Sequence, residues 1–150
     1  LDHFKLVNDA HGHLAGSAVL REVGVLLREH ARPVDSAFRY GGDEFAVLLP
    51  ETGPQRATET AERLVQAFRA RRFTAEQGLQ LRVTASIGVA CFPDHSRDGL
   101  GLIAASDAAM YSVKARGRDG VAPAVPSQPR VRSGAGSDAP PAGGESVQPV

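Results

Sequence analysis

Apolar positions recur along the chain with two different periods, and the switches between them mark the elements. From Ser17 to His30 the period is helical: Val19, Leu20, Val23, Leu26, Leu27 and His30 share a face, with Arg21, Glu22, Arg28 and Glu29 opposite. A shorter helix is predicted over Asp2 to His11. Phe4, Val7 and His11 mark one side of it, Asp2, Lys5, Asn8 and Asp9 form a polar stripe, and Gly12-His13 breaks it. Ala57, Ala61, Leu64, Val65 and Phe68 give a third helix, with Thr52 as candidate cap, Gln55 completing a capping box and Pro54 in the first turn. A last helix is expected from about Gly101 to Ala115, with Leu102, Ile103, Ser106, Ala109, Met110 and Val113 inward and Gly117 ending it.

The period changes to two at Leu81. Leu81, Val83, Ala85, Ile87, Val89 and Cys91 fall on one face and Arg82, Thr84 and Ser86 on the other, which predicts a strand. Phe73 and the stretch around Gly78-Leu79 can be its hairpin partner, and Gly120-Val121-Ala122 a short edge strand. Ser36 to Tyr40 and Glu44 to Leu49 read as a second hairpin around Gly41-Gly42, a dipeptide that tolerates the positive φ of a tight turn. Helices alternating with antiparallel strands point to an α+β sandwich, a sheet with helices packed over it.

Composition narrows this picture. At 150 residues with 42% apolar content the chain is one ordinary domain with enough length for a core. Zero net charge advertises neither nucleic acid nor an anionic membrane as partner. One cysteine, Cys91, permits no internal disulfide and suits a reducing, cytoplasmic setting; in an alternating run it reads as a buried, inert thiol. No apolar run is long enough to span a bilayer, so any membrane link is expected from another part of a longer parent. The chain opens on Leu1, inside what reads as a motif, and is expected to be a fragment. Residues 1–122 carry the domain; from Pro123 to Val150 prolines cluster and aromatics vanish, the composition of a disordered tail.

The stretch FRYGGDEFAVLLP, Phe38 to Pro50, holds the candidate chemistry. Read plainly, Gly41-Gly42 is a permissive turn before a buried strand. Asp43 and Glu44 then point to opposite faces, so one carboxylate meets the covered side, which is costly without a cation or hydrogen bonds. Glycines beside it let a bulky ligand approach the backbone. Paired acids after a glycine turn suggest a metal-assisted site for a phosphorylated ligand.

DHFKLVNDAHGHLAGSAVL at Asp2 to Leu20, RYGGDEF at Arg39 to Phe45, VTASIGVACFP and SDAAMYSVKARGRDG stand in one order. Together they resemble the GGDEF family of bacterial diguanylate cyclases over nearly all of residues 1–122. The resemblance implies a nucleotidyl cyclase or palm-like fold, with a central, mainly antiparallel sheet whose first strand would precede Leu1. It implies condensation of two GTP into cyclic di-GMP and two pyrophosphates, across a homodimer that meets through the active site. Mg²⁺ or Mn²⁺ would be the cofactor. Asp43 would coordinate it, Glu44 would be the second essential carboxylate at the metal, and Gly41 and Gly42 would admit the nucleotide. Lys5 would bind the triphosphate, Asn8 the guanine, and Lys114 and Arg118 the terminal phosphates. The basic pair is open to another reading, since cations in a last helical turn complement the dipole.

RPVD, Arg32 to Asp35, stands where the family carries an inhibitory site for cyclic di-GMP; read alone, it is a surface loop with an i, i+3 charge pair. His11 and His13 lack nearby ligands for a metal, and His13 matches the family's Gly-His pair. Two departures stand out. The family's D-x-D-x-F-K would place a metal-binding Asp before Leu1. Ser17 stands where the family has an Asp that pairs with guanine; a hydroxyl there costs about 1.5–3 kcal/mol of a charge-assisted bond, and serine is equally a good helix N-cap. The alternative to a cyclase is a weakly catalytic module that binds cyclic di-GMP or GTP, and these residues in isolation are expected to be inactive.

Overall fold

The computed structural model describes residues 1–75 and 78–126. Helix α1 spans Phe4–His30 with non-helical angles at Gly12 (φ 82°, ψ 163°), so two helical segments meet at the expected break. Glycine alone takes such a φ without a Cβ penalty. Asp2 lies ahead of the helix and is buried, not on its polar stripe. Ser17 is interior to α1 and so is not an N-cap. His11 and His30, expected on apolar faces, are exposed. The His30 ring turns back onto Leu26 O at 2.9 Å, where a helix end offers free carbonyls.

Strands β1 (Ser36–Gly41) and β2 (Glu44–Leu48) form the first hairpin. Gly41 pairs with Glu44, so the turn is Gly42-Asp43 and not Gly41-Gly42. Register slips between Arg39 and Gly41, which leaves Tyr40 as the extra residue of a bulge. That shift moves the whole turn by one residue. Gly42 carries the positive φ, 47°, at the first central position where such turns favour glycine.

Helix α2 (Pro54–Ala70) buries Ala57, Ala61, Leu64, Val65 and Phe68 as expected, but Gly53 is its N-cap and no side chain caps it. Thr52 is diverted: its Oγ1 donates to Pro50 O (2.9 Å) and accepts from Arg32 Nη2 (2.7 Å). Gln55 donates to Glu59 at 3.0 Å, so no capping box forms.

Strand β3 (Phe73–Thr74) pairs antiparallel with β4 (Gln80–Leu81), Phe73 opposite Leu81. The strand expected from Leu81 to Cys91 is interrupted. Pairing resumes in β5 (Ser86–Val89), parallel to β6 (Gly120–Pro123), and between them Asp2 N donates to Thr84 O at 2.9 Å. Ser86 is buried despite its outward parity, because Asp2 accepts its hydroxyl. Helix α3 (Gly99–Ala115) starts earlier than expected because Asp98 caps it, accepting from Gly101 N at 2.7 Å. Gly117 (φ 109°) ends it, with Arg118 N donating to Val113 O at 3.0 Å. Ile103, expected inward, is 39% exposed.

The described residues thus form a mixed α+β fold with three two-stranded ladders. Its main core joins Val19, Val23, Leu26 and Leu27 of α1 to Leu64 and Phe68 of α2, Phe73 of β3 and Val83. Each such buried side chain contributes about 1.5–3 kcal/mol. The fold continues past residue 122: Pro123 is in β6, and Ala124 is buried with its N–H on Val89 O at 2.7 Å. Of the expected tail, residues 127–150 lie outside the described residues. No described helix is long and apolar enough to cross a membrane.

Candidate functional site

Two short contacts at the N-terminal segment gather the chemistry. Leu1 N donates to Asp43 O at 2.9 Å and lies 3.5 Å from its carboxylate, so residue 1 abuts the hairpin turn. The next residue, Asp2, accepts from Asp119 N at 3.0 Å, so residue 2 abuts the turn after α3. Lys5 is in the first turn of the helix that follows. Asp43, Lys5 and Arg118 therefore surround one short stretch of backbone. They lie far apart in sequence.

Asp43 is partly exposed and Glu44 exposed, so neither carboxylate is trapped on a covered face. The bulge and the turn explain this, since Asp43 sits at the tip and not within the strand. Arg39 Nε donates to Gly42 O at 2.7 Å and braces the turn, a role its position two residues before Gly41 did not announce. Lys5 and Arg118 are exposed and Lys114 half-buried; none of the three is in an ion pair among the described residues. Lys5 and Arg118, tied to the same N-terminal segment as Asp43, suit a metal-bound polyphosphate.

Among the described residues no group of three or more His, Cys, Asp or Glu converges. Two adjacent carboxylates still fit Mg²⁺, which commonly takes one or two carboxylates and completes its shell with phosphate oxygens and water. His11 and His13 are exposed on α1 and join no such cluster.

Asn8 packs toward Gly16, where an added Cβ would collide with Asn8 Oδ1. Ser17 is exposed one residue further on and lines a groove of about 820 Å³ between α1 and the hairpin, with Leu14, Leu20, Arg21, Phe38 and Arg39. Asn8 thus reaches the residue before Ser17 across the Gly12 break, but it does not line the groove that Ser17 lines.

Arg32 and Asp35 lie elsewhere, ahead of β1. Arg32 Nε and Nη2 reach Asp35 at 2.7–3.1 Å, and Nη2 also reaches Pro50 O and Thr52 Oγ1. Arg32 holds the Asp35 carboxyl below the usual range, and Asp35 pushes the guanidinium up. The larger groove, about 1160 Å³, runs from Arg32 along α2 past Arg56, Arg63 and Arg69 to Gly120. It is lined by none of the hairpin-turn residues.

Asp2 is the site residue that sequence reasoning missed. Its carboxylate accepts from Ser86 Oγ (2.6 Å), Thr84 Oγ1 (2.8 Å) and Asp119 N. Thr84 and Ser86, two hydroxyls at alternate positions on what looked like a solvent face, were the available signal.

A family model described as "Diguanylate cyclase, GGDEF domain" matches residues 1–120. The diguanylate cyclase DosC of Escherichia coli is 38% identical over 124 residues, 81% of this chain and 26% of that protein. The chain spans a quarter to a third of the length of the first curated relatives it matches. The GGDEF domain of YfiN (or TpbB) from Pseudomonas aeruginosa superposes with a TM-score of 0.78 at 33% identity, covering 83% of this chain and 77% of that one. The GGDEF domain of DgcB from Caulobacter crescentus, solved in complex with c-di-GMP, gives 0.74 at 32% identity, covering 81% and 72%.

Proposed function

This chain belongs to the GGDEF domain family of diguanylate cyclases, and on that footing we propose that it condenses two GTP into cyclic di-GMP as one half of a homodimer. The observation that carries the reading is the double contact of residues 1 and 2 with Asp43 and Asp119, which gathers acids and cations around one point.

In this reading Lys5, Lys114 and Arg118 bind the phosphates, Asn8 and Ser17 face the guanine, and Gly41 and Gly42 leave room at the hairpin. Asp43 and Glu44 would hold Mg²⁺ or Mn²⁺, which when bound would lower the pKa of the attacking hydroxyl and neutralise phosphate charge. Two such sites face each other. Each 3′-oxygen bonds to the opposite α-phosphorus, the α–β P–O bond breaks, pyrophosphate leaves with the electron pair, and the hydroxyl proton goes to water. Positioning and charge stabilisation supply most of the acceleration.

Arg32 and Asp35 form the product-inhibition site. Their bonds run through Arg32 Nε and Nη2, which leaves Nη1 for a base edge or phosphate. The test is mass detection of cyclic di-GMP from the full-length protein with Mg²⁺ and GTP. Product is expected, and Asp43→Asn should lower the rate at least 100-fold, as loss of a metal-activating group does. A folded, dimeric protein that makes none would overturn the enzyme reading. Ser17 favours one alternative, a module that binds cyclic di-GMP or GTP without turnover; micromolar binding lost in Arg32→Ala would then be the signature.

A further inference from the structure

Three consecutive residues after α3, Gly117, Arg118 and Asp119, have positive φ (109°, 68° and 48°). Glycine takes such angles freely, but Arg118 and Asp119 hold them only where neighbours enforce them. The grip on this turn falls on Asp119. Its N–H donates to Asp2 Oδ2 at 3.0 Å. Its carboxylate accepts Arg69 Nε at 3.0 and 2.9 Å, and its carbonyl accepts Arg69 Nη2 at 2.8 Å. Asp2 is itself fixed by Thr84 and Ser86, and Arg69 sits in the last turn of α2. The turn is thus held from both sides while the Arg118 side chain stays exposed.

We propose that Asp2 and Arg69 are positioning residues for nucleotide binding: by gripping Asp119 they hold the left-handed turn that presents Arg118 to the terminal phosphates. This rests on the phosphate-binding role given to Arg118 above. Neither residue touches substrate. A planar guanidinium reaches the carboxylate and the carbonyl of one residue together, a geometry that a lysine cannot reproduce.

The experiment measures binding of a non-hydrolysable GTP analogue and of GMP to the full-length protein with Mg²⁺. The variants are Arg69→Ala, Arg69→Lys, Asp2→Asn, Arg118→Ala and the double change Arg69→Ala/Arg118→Ala. Arg69→Ala and Arg118→Ala should each weaken the analogue about tenfold and leave GMP unchanged, since GMP has no terminal phosphates. Arg69→Lys should not restore binding. The double variant should bind no more weakly than Arg118→Ala alone, because Arg69 acts through Arg118. Additive losses, or equal losses for GMP and the analogue, would make Arg69 merely structural and overturn the inference. If Arg118→Ala weakens the analogue and Arg69→Ala does not, this inference falls while the phosphate site stands. If Arg118→Ala binds like the parent, the phosphate assignment falls and the inference with it. Asp2 is buried, so should Asp2→Asn not fold, the partly exposed Arg69 carries the test.

Discussion

Asp2 shows how one carboxylate can serve as a hub. Burial pushes its carboxyl up, but hydrogen bonds from Ser86, Thr84 and the Asp119 N–H outweigh that and hold it below the usual range. The unfolded chain therefore takes up a proton at higher pH than the folded one. Stability from this residue is fully present above the ordinary Asp value of about 4 and is lost as pH falls through the lower folded value. Thermal melts should show the midpoint dropping on acidification below about pH 4, with a shallower drop in Asp2→Asn; equal slopes would remove Asp2 from the account. Ser17 is the other decisive residue. If its groove receives guanine, Ser17→Asp should tighten GTP relative to ATP by about 1.5–3 kcal/mol, the worth of a charge-assisted bond. Competition binding measures this, and an unchanged ratio would place the base elsewhere.

At the scale of elements, close approach matters more than propensity. Strand β5 lies directly against α3, and an added Cβ at Gly88 would overlap Ser106 O and come within 2.6 Å of Met110 N. Both are backbone atoms of a helix, which cannot swing aside as a side chain can. Gly88→Ala should therefore destabilise the fold by about 3 kcal/mol, the upper part of the overpacking range, read as a lower urea midpoint. A shift under about 1 kcal/mol would mean that α3 slides to accommodate a methyl group. The hairpin shows the same logic in register. The Tyr40 bulge moves the turn onto Gly42-Asp43 and lifts Asp43 out of the strand, which frees a carboxylate that a regular hairpin would have aimed at one face.

For the whole molecule, the paired Arg32 and Asp35 stand apart from the hairpin turn, tied instead to Pro50 and Thr52 at the entry to α2. On the proposed reading, inhibition and turnover can then be separated by mutation. Arg32→Ala should raise the concentration of cyclic di-GMP needed for half-inhibition by tenfold or more, given about 1.5–3 kcal/mol for a bond to a charged group. Inhibition kinetics on the full-length protein check this, and unchanged inhibition would assign feedback to other residues.

Much of this protein was legible in its residues. Among the described residues periodicity located the helical segments, two of which join as α1, and both antiparallel hairpins; the stripe Ala57, Ala61, Leu64, Val65 and Phe68 is buried as read, because i, i+4 spacing is a local property. Motif order fixed the family. What failed had non-local causes. Thr52 does not cap α2, because Arg32, distant in sequence, engages its hydroxyl. Ser86 is buried because Asp2 reaches it, and the strand is broken where the N-terminal segment pairs with Thr84. Tertiary structure alone could bring Asp43, Lys5 and Arg118 to one place and set Asp2 and Arg69 around Asp119. Sequence specifies which groups can bond; only the folded chain decides which partners come within about 3 Å, and hydrogen bonds fall off steeply beyond that reach.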